Sequence, residues 1–239
     1  MNAEAPTYED IAEWYDAFTR SSPFNGVALR STLRLLADVR DRSVLDLATG
    51  TGHSARGLAL SGAMVTAIDI SETMLAIARR HEARNPLGIT YLNADARALE
   101  PFVDGSFDGV LASLCLTDIE ELDRVFSAVH RVLRSTGWFA WSVPHPCFTP
   151  PGAEFARTVS GRPAKLVTGY FEEGFWRSDD LEGVRRVGAY HRTVSTYLNA
   201  FIQSGFTLQR LAEPSVTATG DRASYGEVAA FLVGVVSKP

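Results

Sequence analysis

Two glycines and two aspartates in the first third of the chain have the types and spacing needed to hold a polar ligand. Gly50 and Gly52 follow a short apolar run that contains Asp46, and Asp69 ends the next apolar run. Because glycine carries no Cβ, such a turn approaches a ligand closely, and the helix after it presents unpaired N–H groups. An acid at the end of the next strand is placed to accept hydrogen bonds from two ribose hydroxyls. The set predicts a nucleoside site.

The same turn also satisfies the fingerprint of dinucleotide-binding oxidoreductases, because Ala55 completes the Gly-x-Gly-x-x-Ala pattern. Two further acids favour a different ligand. Asp46 lies within the strand, where it could hold a cationic amino group or its bound water, and Asp95 follows the third strand, near an adenine amino group. Three acids at three strand ends suit a sulfonium-bearing nucleoside better than an anionic pyrophosphate. An NAD(P)-dependent oxidoreductase stays open as the alternative.

Two histidines lie where a base could take a proton from a substrate. His145 directly follows the fifth predicted strand, and His191 stands between an aromatic-rich segment and a helix. A neutral imidazole is a suitable general base near pH 7. We rank His145 first and His191 second as catalytic candidates, because the fourth and fifth strand ends should flank the reacting centre. No group of residues has metal-ligand spacing, so we predict no metal.

The elements that position these residues alternate between strand and helix up to about residue 144. Strands are predicted at 43–48, 64–70, 89–93, 107–113, 138–143, 206–212 and 228–236, and helices at 7–20, 27–39, 52–60, after Ser71, at 119–133 and at 193–203. Thr7 is expected to cap the first helix. This alternation predicts an α/β fold with a doubly wound, mostly parallel, seven-stranded sheet.

The alternation stops between residues 145 and 190, where Pro, Gly and aromatic residues accumulate. Segments 165–171 and 184–190 are predicted to pair as two strands of a small cap. Its aromatic residues either line a substrate pocket or form a core of their own; they include Tyr170, Phe171, Trp176 and Tyr190. We predict one domain, with lid helices at 1–40, a core at 41–144, the cap at 145–190 and a last helix with two strands at 191–239.

Composition restricts the class of protein further. The 239 residues are 46% hydrophobic, which suits one globular domain. The net charge of −5 offers no general attraction to nucleic acid or to an anionic membrane. Two isolated cysteines form no disulfide framework, and neither a membrane span nor a signal peptide is recognisable. We predict a cytoplasmic protein with a small-molecule partner and leave the oligomeric state open.

Five motifs stand in order between residues 40 and 144: VLDLATGTG, AIDIS, NADARAL, SFDGVLASLCLTDI and RVLRSTGWFAWSV. As a set they resemble the motifs of class I S-adenosylmethionine (SAM)-dependent methyltransferases. The family often has glycine where this chain has Ala48. The helix that carries Tyr8 and Tyr15 resembles the N-terminal lid helix of the small-molecule branch.

The resemblance implies SAM as the cofactor and S-adenosylhomocysteine as its product. The residues that it implies for cofactor binding, together with those named above, are Tyr8, Tyr15, Asp46, Ala48, Thr49, Gly50, Gly52, Asp69, Ile70, Met74, Asp95, Ala96 and Leu114.

The expected activity is methylation of an oxygen or nitrogen nucleophile on a small metabolite. A nucleic-acid methyltransferase would share the fold, but base-amino methylation usually shows an Asn/Asp-Pro-Pro-aromatic motif after the fourth strand, where this chain reads SLCLTD. A SAM-binding protein with cyclase or regulatory activity is a further alternative.

Overall fold

The computed structural model describes residues 6–36, 38–217 and 220–239. The predicted lid region 1–40 is therefore described only in part. The strands are β1 (Ser43–Leu47), β2 (Met64–Asp69), β3 (Thr90–Asn93), β4 (Phe107–Ser113), β5 (Leu133–Pro144), β6 (Glu154–Arg157), β7 (Pro163–Leu166), β8 (Gly174–Trp176), β9 (Ala189–His191), β10 (Thr207–Ala212) and β11 (Phe231–Ser237). The α-helices are α1 (Ala12–Ser21), α2 (Pro23–Leu35), α3 (His53–Leu60), α4 (Glu72–Arg84), α5 (Leu122–Val132) and α6 (Val194–Gln203).

Seven strands form one sheet in the order β10-β11-β5-β4-β1-β2-β3. The pairs from β3 across to β5 are all parallel, and β11 runs antiparallel to both β5 and β10. The chain winds outward from β1 in one direction through β2 and β3, and then returns to β4 on the other side. Ligands of open α/β sheets bind outside the carboxyl ends of the strands at such a reversal. The predicted fold class is confirmed.

Helices cover both faces of the sheet, which is why the central strands are apolar throughout their length. One core packs α5 and α6 against β4 and β5, and its centre includes Phe126, Phe139 and Phe201. The other packs residues of α2, α3 and α4 against β1 and β2. The apolar face of α5 is buried, and Phe126 and Phe201 stack with ring centroids 4.1 Å apart.

The N-terminal helices differ from the prediction in their boundaries. A 3₁₀ turn at Glu9–Ile11 precedes α1, whose N-cap is Ile11, so the predicted capping by Thr7 is wrong. The second helix begins at Pro23 rather than at residue 27 and ends at Leu35. Proline is favoured at the first helical position because its missing N–H has no helical partner there. Of the predicted end of this helix, residue 37 lies outside the described residues.

The strand pairing predicted for the cap, residues 145–190, is wrong. The antiparallel pairs are β6 with β7 and β8 with β9. Val184–Val187 forms a 3₁₀ turn. The sequence pattern failed here because these strands are only three or four residues long, too short for an alternation of apolar and polar residues to be recognised. Among the described residues, none of the helices has the length and apolar character needed to span a membrane.

Candidate active site

The loop between β1 and α3 is built from left-handed backbone. The φ angles of Ala48, Gly50 and Gly52 are +48°, +56° and +87°. Glycine adopts this conformation at little cost, whereas an alanine is strained, so Ala48 is held there by its surroundings. The Thr49 N–H donates to the Ile68 carbonyl oxygen at 2.8 Å, which ties the loop to β2. The result is a rigid turn whose backbone faces the carboxyl end of the sheet.

Asp69 at the end of β2 fastens this loop from the other side. Its Oδ2 accepts from the Gly50 N–H at 2.7 Å and its Oδ1 from the Ser71 N–H at 2.9 Å. The side chain is nearly buried, and that burial raises the pKa of the carboxyl despite the two backbone donors. A buried carboxylate oriented by backbone donors is a strong acceptor for a ligand hydroxyl.

Asp46 lies behind the loop rather than in its open face. Its Oδ2 accepts from the hydroxyls of Thr49 and, at 2.8 Å, of Ser54. The side chain is fully buried, and this raises its pKa to about 7 in spite of the hydroxyl donors. The other oxygen, Oδ1, has no hydrogen-bond partner among the described residues. In this structure Asp46 therefore supports the loop from within.

A cavity opens in front of the loop and brings together most of the residues predicted to bind the cofactor. Met74 on α4 contributes an apolar wall, and Leu114, with φ of +63°, contributes the turn after β4. The predicted residues that line this cofactor cavity are Tyr8, Tyr15, Ala48, Thr49, Gly50, Asp69, Ile70, Met74 and Leu114.

Four predicted cofactor residues do not line the cofactor cavity. Asp46 lies behind the loop, and Gly52 is the N-cap of α3 with its back to Tyr91. Ala96 is packed into the core. The Asp95 carboxylate forms an ion pair with Arg97, with 2.7 Å between Oδ2 and Nη2, and this partner lowers its pKa. Its contact with an adenine stays a prediction.

A second cavity, of about 370 Å³, lies beneath the cap and adjoins the first. Tyr8, Tyr15, Asn25 and Leu114 line both. The walls of this cap cavity are rich in aromatic side chains, which include Phe18, Phe24, Phe155, Trp176, Tyr190, Tyr225 and Phe231. Of the cap aromatics singled out in the sequence, Trp176 and Tyr190 line the cavity, whereas Phe171 is 86% exposed and Tyr170 packs beside it.

The two catalytic candidates lie in different surroundings. His145 is buried, its Nε2 lies 2.7 Å from Glu213 Oε1, and its Nδ1 accepts from the Cys147 N–H at 3.2 Å. Both of its ring nitrogens are thus engaged away from the cavities. His191 lines the cap cavity, and its Nε2 donates to the Tyr170 carbonyl oxygen at 2.8 Å. Since a carbonyl only accepts, the proton sits on Nε2, and Nδ1 is the basic nitrogen of the neutral ring.

Asp118 is a site residue that the sequence analysis missed. Its Oδ2 accepts from the Tyr8 hydroxyl and its Oδ1 from Arg185 Nη1, both at 3.0 Å. Burial raises the pKa of the Asp118 carboxyl; burial of Arg185 acts to lower the pKa of its guanidinium, but the adjacent carboxylate raises it overall. One carboxylate therefore links the N-terminal segment, the turn after β4 and the cap. An acid four residues beyond Leu114, just after a strand end, was the available signal.

His53 is a second residue that the prediction omitted. It lies in the first turn of α3 and lines the cofactor cavity. Its buried Nε2 has no hydrogen-bond partner among the described residues, and burial lowers the pKa of the imidazole. A buried polar atom without a partner is costly, so this edge of the cavity offers a contact for a polar ligand atom.

Comparison with known proteins assigns the chain to a family. Residues 45–141 match the family model of a methyltransferase domain. The crystal structure of an S-adenosylmethionine-dependent methyltransferase from Mesorhizobium loti is 32% identical, with a TM-score of 0.77 over 90% of this chain and 100% of that one. This chain belongs to the SAM-dependent methyltransferases. SAM is therefore the cofactor of its family, and the dinucleotide alternative is set aside.

Curated relatives match over a shorter stretch. Demethylmenaquinone methyltransferase from Clavibacter sepedonicus is 42% identical over 45% of this chain and 43% of that protein. The enzyme of the same name from Thermus thermophilus is 37% identical over 54% of this chain and 60% of that protein. The chain thus spans about half the length of these relatives.

The residues around the cofactor cavity fit SAM. The Asp69 carboxylate suits ribose hydroxyls, and Met74 offers an apolar surface to an adenine ring. A Cβ built on Gly50 would lie 3.6 Å from the Tyr15 ring, so the glycine keeps the space between loop and lid open. The unpaired Nε2 of His53, which lines the cavity, is available for the amino-acid end, directly or through water.

Proposed function

We propose that this chain transfers a methyl group from SAM to an oxygen or nitrogen nucleophile of a small molecule held in the cap cavity. One observation carries the proposal: the cofactor cavity and the cap cavity share a boundary formed by Tyr8, Tyr15, Asn25 and Leu114. A methyl donor in one and an acceptor in the other would meet there. The size and apolar lining of the cap cavity are typical of small-molecule sites.

The chain's own residues act chiefly by positioning. When bound, SAM supplies a methyl group already activated by its sulfonium. Asp69 and the glycine loop would fix the nucleoside, while Tyr8 and Tyr15, whose rings meet edge to face at 4.9 Å, close the boundary against water. Holding two reactants in line lowers a barrier by pre-paying their entropy of association.

A hydroxyl acceptor also needs a base, and we place His191 ahead of His145 in this role. His191 lines the cap cavity with Nδ1 as its basic nitrogen, whereas both nitrogens of His145 are hydrogen-bonded outside it. This order reverses the ranking from sequence. General-base catalysis contributes roughly 10²–10⁴-fold, so His191→Ala should lower turnover of a hydroxyl acceptor by about that factor.

The names of relatives support a small-molecule acceptor. The Azotobacter vinelandii protein named ubiquinone biosynthesis O-methyltransferase is 28% identical over 68% of this chain, and the two relatives described above are named for demethylmenaquinone. One of these names specifies an oxygen acceptor. We extend to this chain only the class of acceptor, a small molecule, and not any individual substrate.

Two measurements test the proposal. SAM or S-adenosylhomocysteine should raise the melting temperature while NAD(H) and NADP(H) leave it unchanged, because a ligand specific for the folded state stabilises it by mass action. Incubation with methyl-labelled SAM and a bacterial metabolite extract should then yield a labelled small-molecule product by mass spectrometry. Absence of a shift with SAM would refute cofactor binding, and binding without any labelled product would favour a cyclase or regulatory protein.

A further inference from the structure

The cap cavity contains a lysine set among aromatic rings. Lys165 on β7 is half-buried and lines this cavity. Its Nζ lies 3.9 Å from the centroid of the Phe155 ring and 5.3 Å from that of Tyr225. Aromatic faces attract a cation, but they neutralise none of its charge.

No carboxylate among the described residues forms an ion pair with Lys165. Burial lowers the pKa of its ammonium, and no acid of the described residues acts to raise it. The two arginines of the cavity wall already have partners within the protein. Arg185 is paired with Asp118, and Arg192 donates to the carbonyl oxygens of Leu116, Ile119 and Glu120.

An acidic side chain, Asp180, also lines the cap cavity. Its Oδ1 accepts from the Glu182 N–H at 3.0 Å, and among the described residues it forms no ion pair with Lys165. Within the described cavity wall, Lys165 is thus the cation that holds neither an acid nor a set of carbonyl oxygens. A half-buried charge of this kind is stabilised by a ligand that brings the opposite charge.

A line of contacts from Lys165 to the boundary between the two cavities indicates how a bound ligand would be oriented. The Tyr225 ring, which lies below the ammonium, meets the Phe24 ring at a centroid distance of 5.3 Å. The next residue, Asn25, lines both cavities. A ligand anchored by an acid at Lys165 would therefore lie along aromatic rings and present its other end to the cofactor cavity.

We propose that the acceptor is an aromatic acid whose carboxylate pairs with Lys165 while its nucleophile faces the boundary at Asn25 and Leu114. This inference rests on the proposed function, because it names the substrate class of the same cap cavity. The anchoring charge is remote from the reacting atom, so it orients the acceptor and takes no part in bond making.

The test uses matched neutral and charged probes on the full chain saturated with S-adenosylhomocysteine. The probes are benzoate, 2-naphthoate and biphenyl-4-carboxylate, each compared by calorimetry with its primary amide. We expect at least one carboxylate to bind about tenfold or more tighter than its amide. Lys165→Gln should remove that preference, and Lys165→Arg should retain most of it.

Arg162→Gln is the control, because it removes an exposed cation of the same hairpin that pairs with Glu227 at 2.9 Å and does not line the cavity. It should leave the preference unchanged. Equal binding of acids and amides, a preference that survives Lys165→Gln, or no binding of any acid would overturn the proposal. S-adenosylhomocysteine binding is measured in the same samples, so failure of the cofactor site is recognised separately.

Discussion

The two adjoining cavities are built in different ways. The cofactor cavity lies against turns at strand ends, where Ala48, Gly50 and Leu114 all have positive φ. The cap cavity is lined by residues from segments as distant as residues 8 and 231. Turns with positive φ require particular residues at fixed spacing, whereas a wall of packed side chains can be assembled from many sequences. The first kind of site therefore leaves a motif, and the second does not.

The largest effect is expected from a substitution in the glycine loop beside the cofactor cavity. In Gly52→Ala the new Cβ would lie 2.6 Å from the Tyr91 hydroxyl at a φ of +87°. Left-handed strain of about 1–2 kcal/mol and crowding of about 1–3 kcal/mol should together lower the free energy of unfolding by roughly 2–5 kcal/mol. Urea denaturation measures this loss.

Gly88→Ala is the matched control for that substitution, because its φ is +79° and a Cβ there meets nothing within 4 Å. It should show the strain alone, about 1–2 kcal/mol. Equal losses in the two variants would mean that the space next to Tyr91 is not restrictive.

The free energy of unfolding, measured over a range of pH, tests the buried Asp46 carboxyl behind the glycine loop. Burial raises the pKa of Asp46 from 3.8 to about 7, so the folded state binds its proton more tightly than the unfolded chain does. The resulting stability is present below about pH 4 and is lost as pH rises towards 7. Between those values the wild type should lose up to about 4 kcal/mol of unfolding free energy relative to Asp46→Asn. If the unfolding free energies of the two proteins changed with pH in parallel, the pKa of Asp46 would not be strongly raised.

Substitution of Asp69 tests ligand binding on the same side. Asp69→Ala removes the acceptor at the end of β2 and should weaken SAM binding by about 1.5–3 kcal/mol while the domain stays folded. Asp95→Ala should cost less, because that carboxylate is paired with Arg97 outside the cavity. Calorimetry with SAM measures both. Unchanged affinity in Asp69→Ala would reject its assignment to the ribose.

The smallest expected effect on the cofactor comes from the cap. Trp176→Ala should leave SAM affinity within about twofold of the wild type but reduce formation of labelled product by tenfold or more, because Trp176 lines only the cap cavity. Phe171→Ala, at an exposed ring, is the control and should change neither quantity. Equal loss of cofactor binding and product formation would indicate that the cap aromatics form a structural core.

The sequence predicted the sheet because its elements are locally encoded. The apolar run 43–47 and the stripe of α5 are periodic, and Gly50 and Gly52 mark the turn that only such residues accommodate readily. The contacts of Asp46 and Asp95 were not predicted. Asp46 accepts from Ser54 and Asp95 accepts from Arg97, and which partner a carboxylate takes depends on how all of its neighbours are placed in the folded chain.

The sequence indicated that the alternation of strands and helices is interrupted in the cap, but it did not predict which strands pair there. Its strand pairs are short, and the segment predicted as a strand at 184–190 is drawn inward where Arg185 meets Asp118. Asp118 and Arg185 are 67 residues apart in sequence. A pair with such separation leaves no periodic signal, because only the folded chain brings the two charges together.

The antiparallel strand β11 has a consequence for how the chain is made. Residues 231–237 insert between β5 and β10, both of which leave the ribosome earlier. The parallel strands around the glycine loop can find their neighbours during synthesis, whereas β5 keeps an open apolar edge until these seven residues emerge. The nascent protein therefore keeps an edge that can pair with another chain until its sheet is completed.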